Sequence, residues 1–260
     1  MMPRPWLPAT TLSRRPRDGS AVLLVHGYFC LSRMAYWHGL LPLRRELASA
    51  GWPVIAGRLP RTGPVTERAQ HLARVIARLP YRRLVLVGHS MGGLDARYAA
   101  SRFDPQRRIS HVVTVGTPHR GTVVAAWAMR DTVWLSRLLR CVDRGALPDL
   151  TPEGAARLDA GMPDRADVGY IALAGVYPAA RLTGTMRWFG ERLERDEGPN
   201  DGLVTERSAL RGPTRITVAA DHLALIDQGP AVRRAARSDR PAPLQIAELR
   251  SVLHRALSPA

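Results

Sequence analysis

Three short apolar runs constrain the fold of this chain more than any other feature. "AVLLVHG" (21–27), "RLVLVG" (83–88) and "ISHVVTVGTPH" (109–119) carry apolar residues over a strand's length, and each meets a glycine. A strand with one wet face alternates apolar with polar residues, whereas a near-continuous run belongs in a sheet covered on both sides. Such sheets are parallel, because the connections that cover both faces are helices.

The intervening segments supply those helices. Residues 65–79, "VTERAQHLARVIARL", place Val65, Ala69, Leu72, Val75, Ile76 and Leu79 on one face. Further strands are expected at 52–59, 169–176 and 214–220. Helices are expected at 36–50, from Met91 to about Arg102, at 222–236 and at 244–257. Strands alternating with helices define an α/β fold, a mostly parallel sheet with helices on both faces. The whole chain, 1–260, reads as a single domain, and residues 1–19, rich in Pro and Arg, as an arm over its surface.

The stretch 120–165 breaks this rhythm and reads as a helical cap or lid inserted between two strands. Plotted at ~100° per residue, residues 122–144 gather Val123, Val124, Trp127, Trp134, Leu135, Leu138, Leu139 and Val142 on one arc. Arg130, Arg137, Arg140 and Arg144 gather on another. Two readings remain open: an ordinary amphipathic helix lying on the domain, or a lid whose apolar face meets a lipid or covers a site.

A formal charge of +16 raises the question of nucleic acid. All 38 basic residues are Arg, and they are scattered through the chain. A nucleic-acid footprint is clustered and accompanied by a recognisable motif, so no nucleic-acid partner is expected. A peripheral contact with an anionic lipid surface fits the charge better. No apolar run is long enough to span a bilayer. The "SRR" near the start is followed by Pro16, Arg17 and Asp18, so no signal peptide is read there and a cytoplasmic location is expected. Two cysteines, Cys30 and Cys141, make no disulfide framework and are expected as buried free thiols.

The run that leads to chemistry is "RLVLV", which passes into Gly88-His89-Ser90-Met91-Gly92-Gly93 and then a helix. This is G-x-S-x-G between a buried strand and a helix. There a sharp turn lifts the serine above the sheet, and the two glycines let backbones approach. The other reading is a serine in a glycine-rich structural turn. A serine nucleophile needs a positioned base and N–H donors aimed at the developing oxyanion. Met91 would give one donor. Tyr28, in "VHGYF" after the first strand, would give the second, with Phe29 as the fallback. His26 fits better as a residue that orients this loop.

Five motifs in order, "VHGYF", "GHSMGG", "VGTPHRGT", "PNDGLV" and "ADHL", resemble the bacterial lipase and esterase branch of the α/β-hydrolases. The resemblance runs from residue 21 to about 228. It implies the α/β-hydrolase fold and a carboxylic-ester hydrolase of the lipase/esterase type, working through an acyl-enzyme on a small-molecule or lipid ester. A thioesterase, amidase or acyltransferase would share the same machinery, as would the frame of a non-catalytic member. The chain order in that fold is Ser, acid, His. Glu191, Glu194, Asp196, Glu197 and Asp201 are the available acids. In the similar lipases the Asp of "PNDGLV" is the triad acid, so the resemblance assigns Asp201, with Asp196 as runner-up. His222 then stands in the base's place after the last strand. Phe29, Trp127 and Trp134 are expected to contact the substrate.

Many lipases of this branch hold a structural Ca²⁺ near the catalytic histidine, with a carboxylate ligand two residues after it. Here that position is Ala224. Gln228 matches another ligand position, and Asp227 could substitute. A hard cation needs several oxygens, so no calcium is expected. No Cys/His cluster has zinc-site spacing, and no cofactor is implied.

Overall fold

The computed structural model describes residues 19–28, 47–49, 51–130, 143, 145–226 and 251. Several expectations fall outside the described residues: the arm before residue 19, most of the helices at 36–50 and 244–257, Phe29, Trp134, Cys30, Cys141, Asp227 and Gln228.

Six strands form one all-parallel sheet: β1 (Ser20–Val25), β2 (Val54–Ala56), β3 (Arg83–His89), β4 (Ile109–Val115), β5 (Gly169–Gly175) and β6 (Thr214–Val218), in the order β2-β1-β3-β4-β5-β6. The apolar runs are continuous because their alternate residues feed two cores. Val22, Leu24, Val85, Val87, Val113 and Val115 face one layer. Ala21, Leu23, Val25, Leu84, Leu86 and Val112 face the other. Helices α1 (Val65–Ala77) and α2 (Met91–Arg102) pack against each other. α1 uses the stripe read from sequence, with Arg68 buried in its middle.

Strands β2, β4 and β6 are shorter than the runs that predict them, for identifiable reasons. The run 52–59 yields three strand residues, since Pro53 and Gly57 bound it. β4 stops at Val115, because Gly116 takes a positive φ of 56° and turns the chain away. β6, at the edge, stops at Val218.

Between β4 and β5 lie α3 (Val123–Arg130), α4 (Ala146–Leu150) and α5 (Pro152–Gly161). Ala125, Ala128, Ala146, Leu147 and Leu150 join Met91 and Leu94 in a third core. This revises the expected arc at its start. The small Ala125 and Ala128 meet the core, whereas Val123, Val124 and Trp127 are half-buried. Helix α6 (Gly184–Asp196) and the short α7 (Glu206–Ala209) lie between β5 and β6.

From β1 the chain moves to β2 on one side and then returns past it to β3 on the other. This reversal is the switch point at which open parallel sheets place ligands, beyond the carboxyl ends of the strands.

Candidate active site

Ser90 sits at that switch point, between the end of β3 and the start of α2. Its backbone has φ 54° and ψ −130°, a strained conformation for a residue with a side chain. The strain is held by a ladder-like bond from its N–H to the Val115 carbonyl, 2.8 Å, and by the Gly93 N–H donating to its carbonyl, 3.0 Å. The glycines are sterically required. A Cβ on Gly92 would lie 2.3 Å from the Val25 carbonyl oxygen, and one on Gly88 2.5 Å from Gly92 and Gly93 backbone atoms. Ser90 itself is half-buried.

Gly27 packs directly on the elbow. A Cβ there would stand 2.8 Å from Ser90 Cβ. Tyr28 follows it, so the loop after β1 lies beside the nucleophile position. Met91 opens α2, and its N–H has no acceptor within the helix. The structure thus brings both expected oxyanion donors to the elbow region.

The loop's carbonyl side is pinned from below. Arg68, fully buried, donates to the His26 carbonyl at 2.8 Å, to the Pro60 carbonyl, and to Asp95 Oδ2 at 2.6 and 2.9 Å. Burial pushes the Asp95 carboxyl up to about 6, against the pull of the Arg68 charge and hydrogen bond. His26 is held down to about 4, by burial first and the Arg68 charge second, so its ring is neutral at pH 7.

Asp201 occupies a tight turn built by its neighbours. Asn200 Oδ1 accepts the Gly202 N–H at 2.8 Å, and Gly202 has φ 98°. Asp201 Oδ1 accepts the N–H groups of Leu203 and Val204 at 3.0 and 2.8 Å. Its other oxygen, Oδ2, accepts from His222 Nδ1 at 2.7 Å, with both groups buried. The main chains are also tied, His222 N–H to Asp201 carbonyl at 2.9 Å. Burial opposes a charged His222 ring, but the Asp201 charge and hydrogen bond, helped by Asp221, outweigh it and raise its pKa above the ordinary histidine value. Asp196, by contrast, is on the surface in a pair with Arg195 at 3.0 Å.

The segment after His222 departs from the expected helix. Residues 224–226 form one turn of 3₁₀-helix, because Asp221 Oδ1 accepts the N–H groups of Leu223 and Ala224 at 3.0 and 2.9 Å. Ala224 is buried. Among the described residues no group of three or more His, Cys, Asp or Glu is placed to hold a metal ion.

Trp127, expected at the substrate, makes its aromatic contacts with α6. It stacks on Phe189 at 6.1 Å and meets Trp188 edge-on at 6.1 Å, with the Arg192 guanidinium 4.3 Å from its centroid. Sequence reasoning did not single out Trp188, Arg68 or the role of His89. His89 donates from Nε2 to the His222 carbonyl at 3.0 Å.

A family model described as the alpha/beta hydrolase fold matches residues 20–140. The chain has the α/β-hydrolase fold. Proteins similar to it in sequence include triacylglycerol lipases. It is 30% identical over 215 residues to triacylglycerol lipase 2 of Saccharomyces cerevisiae, covering 77% of this chain and 64% of that protein. To the triacylglycerol lipase of Pseudomonas fragi it is 26% identical over 257 residues, covering 79% and 87%. The chain therefore spans less than two thirds of the yeast lipase's own length. A Bacillus licheniformis lipase in its mature form has the same fold, with a TM-score of 0.72 at 22% identity over 89% of this chain and 96% of that one.

Proposed function

We propose that this chain is a serine carboxylic-ester hydrolase of the lipase/esterase type, with Ser90 as nucleophile, His222 as base and Asp201 as acid. The observation that carries the reading is the buried 2.7 Å contact between His222 Nδ1 and Asp201 Oδ2, beyond the carboxyl ends of the same sheet whose β3 leads into the strained Ser90 elbow. The Asp201 bond puts the proton on Nδ1, which leaves Nε2 as the basic nitrogen. Nε2 takes the Ser90 proton as Oγ attacks the ester carbonyl, and the N–H groups of Met91 and Tyr28 receive the oxyanion. The His222 imidazolium, stabilised by Asp201, then protonates the leaving alcohol. Water repeats the sequence on the acyl-enzyme. Among the described residues no hydrogen bond joins Ser90 Oγ to His222.

The lipase names of the relatives support a lipid ester as substrate. The half-exposed Trp188, the Arg192 guanidinium over two tryptophan rings and the chain's charge of +16 support a peripheral contact with a lipid surface. Among the described residues no helix is long and apolar enough to cross a membrane.

The test is hydrolysis of p-nitrophenyl esters from short to long acyl chains, with and without EDTA. Turnover that rises toward longer chains and is unchanged by EDTA is expected. Thioesters or amides turned over faster than esters would redirect the reading to the chemistry that shares this triad. Loss of activity in EDTA would contradict the expectation that no metal is needed.

A further inference from the structure

We propose that His89 is a positioning residue that ties the base loop to the nucleophile elbow through the His222 main chain. This inference rests on the reading of His222 as base.

His89 is the last residue of β3 and the immediate neighbour of Ser90. A carbonyl oxygen only accepts, so the 3.0 Å contact requires the proton on His89 Nε2. The two imidazoles lie 4.7 Å apart, centroid to centroid, inclined at 45°, and His89 is buried. His222 is therefore gripped at three points. Its N–H goes to the Asp201 carbonyl, its Nδ1 to Asp201 Oδ2, and its carbonyl to His89. The first two bonds fix the base relative to the acid. The third fixes it relative to the elbow, across one covalent step from Ser90. The His222 main chain is thus tied to the elbow through the His89 side chain.

The grip suits a base that changes charge. Burial first, and the nearby His222 second, hold the His89 ring well below the ordinary histidine range. It stays neutral while His222 carries the proton, so no second cation faces the imidazolium during acylation.

The inference separates two substitutions of closely similar shape. Gln can present an N–H donor close to where His89 presents Nε2–H, whereas Met fills the same space without one. Both variants are assayed with a soluble short-chain p-nitrophenyl ester, and with a fluorophosphonate that captures activated serine. Rates are normalised to the sites captured at the labelling endpoint, so unfolded protein does not enter. His89→Gln is expected within about threefold of wild type. His89→Met is expected to lose about 10²-fold in kcat and in labelling rate, the scale of a misplaced catalytic group, with KM changed less than about twofold. His89→Met matching His89→Gln at near wild-type rates would overturn the inference alone. So would equal losses in both with the two melting points unchanged, since the donor would then be irrelevant. Wild-type protein that fails to react with the fluorophosphonate would remove the serine-hydrolase reading, and this inference with it.

Discussion

Asp201 and Asp196 compete for one role in the sequence and occupy opposite environments in space. Asp201 is enclosed, with one oxygen spent on two backbone N–H groups and the other on His222. Asp196 shares a solvated helix end with Arg195. Asp201→Asn is therefore expected to lower kcat about 10⁴-fold, by offering the wrong hydrogen-bond partner to Nδ1, while the turn keeps its amide bonds to Oδ1. Asp196→Asn is expected to stay within about twofold, as a surface ion pair contributes little. Steady-state kinetics of the two variants decide between them, and a reversed pattern would move the acid to Asp196. At this scale the sequence carried the residues that chemistry marks: a serine between glycines, an acid in a tight turn, a histidine after the last strand. It did not carry contacts made across the fold. Nothing local signals that His89 reaches the carbonyl of residue 222. Arg68 left a trace, a cation at i+3 from Val65 and i−4 from Leu72, inside the apolar stripe of α1.

The elbow shows why the elements carry the site. β3 and α2 meet with almost no clearance, and the loop after β1 presses on both. Gly92→Ala would drive a methyl into the Val25 and His26 carbonyls, at 2.3 and 2.7 Å, with backbone on both sides and nothing able to rotate away. The expected cost is ~3 kcal/mol, read as a lower denaturation midpoint together with loss of activity. A Gly92→Ala protein as stable as wild type would contradict the packing described. The existence and type of the central elements were legible, because β1, β3 and β4 fill both cores and leave continuous apolar runs. Their ends were less so. The expected strands run on past Val115 and Val218, and the ladder stops there because of Gly116 and the turn toward Asp221, which are backbone events. The start of the inserted segment misled for a related reason. The arc of large apolar residues is not what faces the core at Ala125 and Ala128, since helices approach most closely where side chains are smallest.

At the scale of the whole molecule, buried histidines set the response to acid. His26 is held down to about 4, by burial first and then by Arg68. Burial also leads in pushing His89 and His119 well below the usual range. In an unfolded chain these three take up protons near pH 6.5, whereas the folded protein refuses them. Between about pH 6.5 and 4 the unfolded state thus binds more protons, and stability falls as pH falls. Asp95 works the other way: lifted by burial to about 6, it is protonated first in the folded state and favours folding as pH drops toward 4. Asp149 is raised in the same sense, by burial first, while burial also lowers His71 and His111, so among the described residues two carboxyls stand against five imidazoles. His222, raised, gives stability that is complete below pH 6.5 and is lost as pH rises through its folded value, so it does not offset the loss at acid pH. Urea denaturation followed by tryptophan fluorescence is expected to show a lower midpoint at pH 4.5 than at pH 7, with a shallower dependence in His119→Gln. A midpoint that holds or rises on acidification would contradict this balance.

An activated nucleophile on the strained turn after β3 makes Ser90 reactive toward a serine-directed phosphonate. This is tested most directly by treating the folded protein with a fluorophosphonate and mapping the adduct by mass spectrometry. A single adduct is expected, on the peptide containing Ser90, with formation that slows sharply in His222→Ala. An adduct on another serine, or equal labelling of wild type and His222→Ala, would contradict it.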